Sequence, residues 1–319
     1  MDKKKLAIVV PCYNEEESLK ENIPVLKNTL DALIRRNVIT DDSFICFVDD
    51  GSRDRTWRIV ESAHKEDTKH VKGIMFTRNF GNQKALLSGL EYAHNRDVDC
   101  AITIDADLQQ DESKIEEFIN KYNEGYEIVY GIRKDRKTDG ILKKFTSYAF
   151  YTFMNMMGAR IVPNHSEYRL MSRKALDTLE LYQERKLFLR GVFFDTGLKS
   201  DHVEFDVKKR EHGDSKFTYM SLMKLAAEGI TSFSVRPLRL IFYIGIIISL
   251  VSLLWGCWTA YRVFILGIHA HNHIDYYEIF EMFMSGLQML CIGVIGEYVG
   301  QIIQEVKGRP RSIIEKELD

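Results

Sequence analysis

Short apolar runs alternate with amphipathic segments through the first 130 residues of the chain. The runs are rich in β-branched and aromatic residues, as buried strands are. The segments between them repeat apolar residues at the three- and four-residue spacing of a helix. This alternation is typical of βαβ units and predicts an α/β domain with a mainly parallel sheet. The predicted strands are Leu6–Val10, Phe44–Val48, Gly73–Thr77, Cys100–Ile104 and Tyr126–Tyr130.

Polar and acidic residues follow three of these strands, at the point where each strand ends. The segments are residues 14–18, 49–56 and 105–109. In an open α/β sheet, the carboxyl ends of the strands form the edge that binds ligands. The sequence has no Gly-x-Gly-x-x-Gly after its first strand and no Gly-Lys-Ser or Gly-Lys-Thr phosphate loop. These observations argue against a dinucleotide-binding oxidoreductase and a P-loop NTPase.

Two carboxylates one residue apart, Asp105 and Asp107, come directly after the fourth predicted strand. Side chains alternate along a strand, so continued strand geometry would point both carboxylates the same way. Hard cations such as Mg²⁺ take oxygen ligands and combine a few carboxylates with substrate phosphates. The pair alone fits a solvated turn equally well. Three polar strand ends on one edge favour a site for a nucleotide and a metal ion.

Composition adds two constraints. A net charge of −2 and a pI near 6.5 give no sign of a nucleic-acid-binding protein. The five cysteines lie in apolar runs without metal-ligand spacing, which is typical of buried residues in a reducing compartment. The first apolar run is too short for a signal-peptide core, so we expect the N-terminal part to stay in the cytoplasm.

The last third of the chain has a different pattern. Leu240–Tyr261 is a run of 22 residues without a charge, which is enough to span a membrane as a helix. Met282–Ile303 is a weaker second span, interrupted by Glu297. Lysines and arginines flank the outer ends of the two spans, and the loop His269–Tyr277 between them has none. The positive-inside rule then places both chain ends in the cytoplasm. A buried helical hairpin of a soluble protein is the alternative.

These patterns divide the chain into two parts. Residues 1–233 form the predicted cytoplasmic domain, which ends in an amphipathic helix at the membrane interface, about 217–235. Residues 234–319 form a membrane domain with two helices, about 240–267 and 279–303, and a cytoplasmic tail. The expected location is the plasma (inner) membrane, with a multi-pass topology.

The motifs at the strand ends resemble those of family 2 glycosyltransferases. They are Val10-Pro-Cys-Tyr-Asn-Glu-Glu16, Val48-Asp-Asp-Gly-Ser52 with Asp54 and Thr56, Arg78-Asn-Phe-Gly81, and Asp105-Ala-Asp107. Over essentially its full length, the chain resembles the polyprenyl-phosphate sugar transferases, the group of dolichol-phosphate mannose synthase and bactoprenol glucosyltransferases. The resemblance implies a GT-A-like fold. It also implies an inverting transfer of a hexose from a UDP-sugar to undecaprenyl or another polyprenyl phosphate at the cytoplasmic face.

The resemblance further implies roles for individual residues. Those that would bind the nucleotide sugar are Pro11, Tyr13, Glu15, Asp50, Ala106, Gln109, Arg133, Arg210 and Lys216. Those that would hold Mg²⁺ or Mn²⁺ are Asp105, Asp107 and Gln109. Those that would meet the lipid phosphate are Arg136, Lys143 and Arg169. The implied catalytic set is Asp105, Asp107, Glu167 and Arg169.

One segment departs from the family pattern. Many relatives carry Gly-Asp-Phe-Arg-Leu where this chain has Ser166-Glu-Tyr-Arg-Leu170. The aspartate is the family's candidate general base, and Glu167 extends the reach of that carboxylate by one methylene. A phosphate acceptor is already ionised near neutral pH, so Glu167 serves either as a base or to orient the site. His165 is a further candidate base, or a packed turn histidine.

The sequence leaves several points open. Glucose and N-acetylglucosamine both fit as the sugar, and the polyprenol length, the preferred metal and the oligomeric state, including a homo-oligomer, are undetermined. The resemblance implies a role in cell-envelope glycan modification. Two other functions stay in competition: transfer to another membrane acceptor such as diacylglycerol, and a catalytically silent membrane scaffold.

Cysteine labelling tests the predicted topology. In a variant without the natural cysteines, a cysteine placed at Asn272 should react with a membrane-impermeant maleimide added to intact cells. A cysteine placed at Lys316 should react only after the cells are permeabilised, because the positive-inside rule puts the tail in the cytoplasm. The opposite labelling pattern would contradict both the orientation and a cytoplasmic catalytic domain.

Overall fold

The computed structural model describes residues 3–134, 165–185, 187, 189–207, 236–264 and 274–319. Within these ranges the strands are β1 Leu6–Cys12, β2 Phe44–Asp49, β3 Val71–Phe76, β4 Cys100–Thr103, β5 Ile128–Arg133, β6 His165–Ser172, β7 Ser200–Phe205 and β8 Ile314–Leu318. The helices are α1 Glu16–Arg35, α2 Thr56–Glu66, α3 Asn82–His94, α4 Ile115–Asn123, α5 Arg173–Glu180, α6 Leu189–Asp195, α7 Arg236–Phe264 and α8 Ile274–Val306. The predicted α/β class is confirmed.

The strands form one mixed sheet in the order β7-β5-β6-β4-β1-β2-β3-β8. Its centre is parallel, as the alternation of strands and helices predicts, since β1 pairs in parallel with β2 and β4, and β2 with β3. Two apolar clusters cover the two faces: α1, α2 and α4 lie over one face, and α3, α5 and α6 over the other. Burial on both faces explains why the central strands are continuous apolar runs.

Strand β6 was not predicted, because it carries charged residues in the middle of the sheet. It runs antiparallel to both β4 and β5, and Arg169 lies opposite Thr103 on one side and Tyr130 on the other. Continuing the β4 register by two residues brings Glu167 level with Asp105. The sheet therefore places the Glu167 segment beside the end of the Asp105 strand.

Helix α3 packs unusually close to the parallel strands. A Cβ atom at Gly89 would lie 2.4 Å from Cγ1 of Val9 and 2.9 Å from Cγ2 of Val48. Any larger residue would therefore push the helix off the sheet. This close approach holds the first turn of α3, which contains Gln83, at the carboxyl edge of β1 and β2.

The two C-terminal segments are helical, as predicted. Residues Phe283–Val306 of α8 are long and apolar enough to cross a membrane, and none of that stretch is buried. This exposure disagrees with the alternative of a buried hairpin. Helix α7 also exposes large apolar side chains, with Trp255 72% and Trp258 56% accessible. A membrane crossing by α7 stays a prediction, and the predicted interfacial helix lies outside the described residues.

The chain after α8 returns to the sheet, which the sequence did not predict. Strand β8 pairs antiparallel with β3 at the edge, with Glu317 opposite Ile74. Arg311 donates to the carbonyl oxygen of Tyr182 at 2.6 Å and to the Glu91 carboxylate at 3.1 Å. The residues that follow α8 are thus part of the same domain as β1 to β4.

Candidate active site

The loops after β1 and β2 hold each other in place. Asn14 has a positive φ of 52°, which turns the chain sharply out of β1. Its N–H donates to Oγ of Ser52 at 2.9 Å, and its Oδ1 accepts from the N–H of Arg53 at 2.9 Å. The N–H of Glu15 donates to Oγ1 of Thr56 at 2.9 Å. Two motifs far apart in sequence therefore form one rigid polar edge.

Asp50 connects that edge to the start of α3. Its carboxylate accepts the N–H groups of Phe80 at 2.6 Å and of Gly81 at 2.8 Å. Burial raises the pKa of Asp50, while these two hydrogen bonds lower it. Gly81 has φ 103°, a conformation that glycine adopts without strain. The Arg78-Asn-Phe-Gly81 motif thus folds around Asp50, and the predicted contact of Asp50 with a nucleotide stays a prediction.

Asp105 and Asp107 lie on a turn, and the expectation that strand alternation aligns them is wrong. Strand β4 ends at Thr103. The N–H of Leu108 donates to the Asp105 carbonyl oxygen at 3.1 Å, and Leu108 has φ 44°. The Asp107 carboxylate accepts the N–H of Gln109 at 3.2 Å. The turn itself, rather than the strand pleat, therefore presents both carboxylates.

Two side chains that the sequence did not single out fix this turn. Gln110 is buried, accepts the N–H of Asp105 at 2.8 Å and donates to the Asp105 carboxylate. Asn22, on α1, donates to the carbonyl oxygen of Ala106 at 2.8 Å. An amide in a helix or a loop has no recognisable spacing, so the sequence carries no signal for either contact.

Three carboxylates, which we call the carboxylate cluster, share this edge: Asp105, Asp107 and Glu167. The pKa of Asp105 is raised from its ordinary 3.8 to about 6, first by burial and then by the negative charges of Asp107 and Glu167. The hydrogen bond from Gln110 and the charge of Arg133 oppose it. A bound cation would relieve the mutual repulsion of the cluster.

The donor set fits a hard divalent cation that is shared with a substrate. Among the described residues, no group of three or more histidine, cysteine, aspartate and glutamate side chains is arranged to hold a metal. The turn offers two carboxylates, Asp105 and Asp107. Mg²⁺ commonly takes one or two carboxylates and completes its shell with phosphate oxygens and water. The residues present therefore fit a divalent metal ion that binds together with a diphosphate.

Glu167 and Arg169 form a buried ion pair in β6. Nη2 of Arg169 lies 3.0 Å from Oε2 of Glu167, and the arginine is 2% exposed. Nη1 of Arg169 donates to the carbonyl oxygen of Leu189 at 3.3 Å, and the guanidinium lies over the Phe193 ring at 5.1 Å. Arg169 would have to become accessible before it could contact a lipid phosphate, so that predicted contact stays a prediction. Its guanidinium lies inside the fold, against the Glu167 carboxylate.

Other predicted residues have different placements. Arg133 is exposed at the end of β5, Pro11 is buried at the end of β1, and Tyr13 is half-buried beside it. Four predicted basic residues lie outside the described residues: Arg136, Lys143, Arg210 and Lys216. His165 belongs to β6, but its side chain is not described.

Comparison with known proteins identifies the family. The Glycosyl transferase family 2 model matches residues 7–180, more than half of the chain. This chain therefore belongs to glycosyl transferase family 2 and is a glycosyltransferase. The alternative of a catalytically silent scaffold has no support from this match.

Several proteins resemble the chain over nearly its full length. The uncharacterized glycosyltransferase YkoT of Bacillus subtilis is 44% identical over 315 residues, 98% of this chain and 92% of that protein. The SfII prophage-derived bactoprenol glucosyl transferase of Shigella flexneri is 38% identical over 313 residues, 98% of each.

A solved glucosyl-3-phosphoglycerate synthase from Mycobacterium tuberculosis aligns with a TM-score of 0.45 at 15% identity, over 72% of this chain and 78% of that chain. A likeness of that degree carries no information about ligands.

The raised pKa of Asp105 predicts a pH-dependent stability. Because the folded-state pKa lies above the ordinary value, ionisation of Asp105 costs stability as the pH rises from about 4 to about 6. With divalent metals chelated, Asp105→Asn should therefore raise Tm by several degrees at pH 7.5 and leave it nearly unchanged at pH 4.

Thermal unfolding of the detergent-solubilised full chain measures this difference. Asp97→Asn is the matched control, because Asp97 is exposed. Its Tm difference from the wild type should be small at both pH values. An unchanged or lowered Tm for Asp105→Asn at pH 7.5 would contradict an ionisation penalty at this position.

Proposed function

We propose that this glycosyltransferase transfers glucose from UDP-glucose to a polyprenyl phosphate, with inversion, at the cytoplasmic face of the plasma membrane. The carboxylate cluster at the carboxyl edge of the sheet is the observation that carries the proposal. Relatives named bactoprenol glucosyl transferases, 38% identical over 98% of the chain, support glucose and a lipid acceptor.

On the donor side, the turn after β4 receives the diphosphate. Asp107, oriented by the N–H of Gln109, and Asp105, held by Gln110, would bind Mg²⁺ or Mn²⁺. A bound cation neutralises the negative charge that develops on a leaving diphosphate. Arg133, exposed at the end of β5, adds positive charge on the same side. From the resemblance, we assign Arg210 and Lys216 to the diphosphate and Arg136 and Lys143 to the lipid phosphate.

On the nucleotide side, the loops after β1 and β2 supply the contacts. We assign Pro11, Tyr13 and Glu15 to the uracil and ribose, with Asp50 holding the first turn of α3 at the same edge. The backbone of Ala106 borders the sugar. These loops are cross-linked by the hydrogen bonds of Asn14 with Ser52 and Arg53, so the nucleotide would meet a preformed surface.

On the acceptor side, Glu167 faces the end of the Asp105 turn. An oxygen of the lipid phosphate attacks the anomeric carbon opposite the leaving group, so the new carbon–oxygen bond forms as the bond to UDP breaks. A phosphate monoester has a second pKa near 6 and is mostly dianionic at neutral pH. Glu167 accepts the remaining proton when the acceptor is monoanionic. Arg169 holds that carboxylate through their ion pair.

The membrane part follows from the chain path. Since β8 pairs with β3, the residues after α8 and the catalytic sheet must lie on the same side of the membrane. Two crossings, by α7 and α8, meet this requirement, whereas one crossing does not. We therefore assign residues 1–233, together with the returning strand β8, to a cytoplasmic catalytic domain, and residues 234–306 to a two-helix anchor.

Transfer by the purified full-length protein tests the proposal. With undecaprenyl phosphate and Mn²⁺ present, labelled UDP-glucose should yield a labelled lipid that mild acid hydrolyses, and UDP-N-acetylglucosamine should yield much less. Asp107→Asn should lower turnover by roughly 10²–10³-fold, the loss typical when one electrostatic contact to a transition state is removed. Asp111→Asn is the matched control, because either residue can cap the turn that Asp111 begins.

Each alternative gives a different result. Transfer to diacylglycerol alone would refute the phosphate acceptor and leave the glycosyltransferase assignment intact. Preference for UDP-N-acetylglucosamine would refute glucose as the transferred sugar. Near-normal turnover of Asp107→Asn would refute the metal assignment.

A further inference from the structure

Four hydrogen bonds form a closed ring that includes Glu167, one member of the carboxylate cluster. Gln83 donates through Nε2 to Oε1 of Glu167 at 3.0 Å, and Arg169 donates to Oε2 of Glu167 at 3.0 Å. Arg169 also donates to the carbonyl oxygen of Leu189 at 3.3 Å. The N–H of Leu189 donates back to Oε1 of Gln83 at 3.3 Å. The ring thus joins β6, the first turn of α3 and the first residue of α6.

Gln83 differs from the other members of the ring in one respect. Glu167 and Arg169 are buried, 6% and 2% exposed, whereas Gln83 is half-buried at the edge of the site. Its backbone is fixed from two directions, by the close contact of Gly89 with the sheet and by the bonds from Phe80 and Gly81 to Asp50. Gln83 can therefore hold the Glu167 carboxylate from a fixed backbone position.

We propose that Gln83 is a positioning residue for the transfer reaction and acts through Glu167. The inference rests on the proposed function, in which Glu167 serves the acceptor phosphate. Gln83 and Arg169 each hold one carboxylate oxygen, which fixes the plane of the carboxylate. Each oxygen can accept more than one hydrogen bond, so the held carboxylate can still contact an acceptor. A glutamate has one more rotatable bond than an aspartate, and the bond from Gln83 restricts that freedom.

Gln83→Met separates positioning from simple packing. Methionine has a similar volume but neither donates to Glu167 nor accepts from Leu189. Loss of the hydrogen bond lets the Glu167 carboxylate turn out of its plane, and since misplacement of a reacting group can cost about 100-fold, kcat should fall by about 10- to 100-fold. The KM for UDP-glucose should stay within about twofold, because the proposal places Gln83 on the acceptor side. Asn82→Met, at the exposed neighbouring position, should leave kcat unchanged.

An exchange of the two partners supplies a second readout. Gln83→Glu places two carboxylates side by side, so both Tm and kcat should fall. Adding Glu167→Gln restores an amide–carboxylate hydrogen bond with the partners reversed, so Tm should recover while kcat stays low. The carboxylate has then moved from position 167 to position 83, so a recovery of kcat together with Tm would show that Gln83 does not act through the Glu167 carboxylate and would overturn the inference.

The outcomes are distinguishable. If the wild type transfers glucose and Gln83→Met matches its kcat, the inference is overturned and the proposed function stands. The inference is also overturned if Gln83→Met changes only the KM for UDP-glucose, because Gln83 then serves the donor. If the wild type glycosylates no polyprenyl phosphate, the proposed function fails and the inference fails with it.

Discussion

Repulsion among three carboxylates is the constraint on which the rest of this site depends. Asp105, Asp107 and Glu167 lie at one edge of the sheet, where burial raises the pKa of Asp105 and the charges of the other two add to that rise. A folded chain holds such a cluster only where other groups compensate for it. Here the compensation comes from Gln110, from the buried ion pair with Arg169, and from the charge of Arg133. The remaining repulsion favours a divalent cation.

The same constraint accounts for the local architecture. Removing one partner of a buried ion pair leaves an uncompensated charge and is strongly destabilising. The remaining hydrogen-bonding groups of both partners must also be satisfied. Arg169 meets this requirement through Leu189, and Glu167 through Gln83. The ring of hydrogen bonds therefore fixes α6 and α3 against β6. The stability of this region and the placement of the Glu167 carboxylate thus have one physical origin.

The apolar pattern was sufficient to predict the parallel centre of the sheet, because strands buried on both faces are continuous apolar runs. The position of Asp105 and Asp107 just after β4 was also predicted from the sequence, since two acids at a strand end are conspicuous, and their role as metal ligands stays a prediction. Strand β6 was missed because the pairing of Glu167 with Arg169 hides its charges inside the fold. The contacts of Asn22, Gln83 and Gln110 depend on tertiary geometry, and no local pattern encodes them. Strand β8 was missed for the same reason, since its partner lies more than 200 residues away.

We propose that the turn after β4 binds a divalent cation together with the diphosphate of the donor. Electron paramagnetic resonance of Mn²⁺ with the purified full chain tests it most directly. About one Mn²⁺ per chain should bind in the presence of UDP, with at least tenfold weaker binding when UDP is absent or Asp107 is replaced by asparagine. UDP-dependent Mn²⁺ binding that survives Asp107→Asn unchanged would contradict the claim.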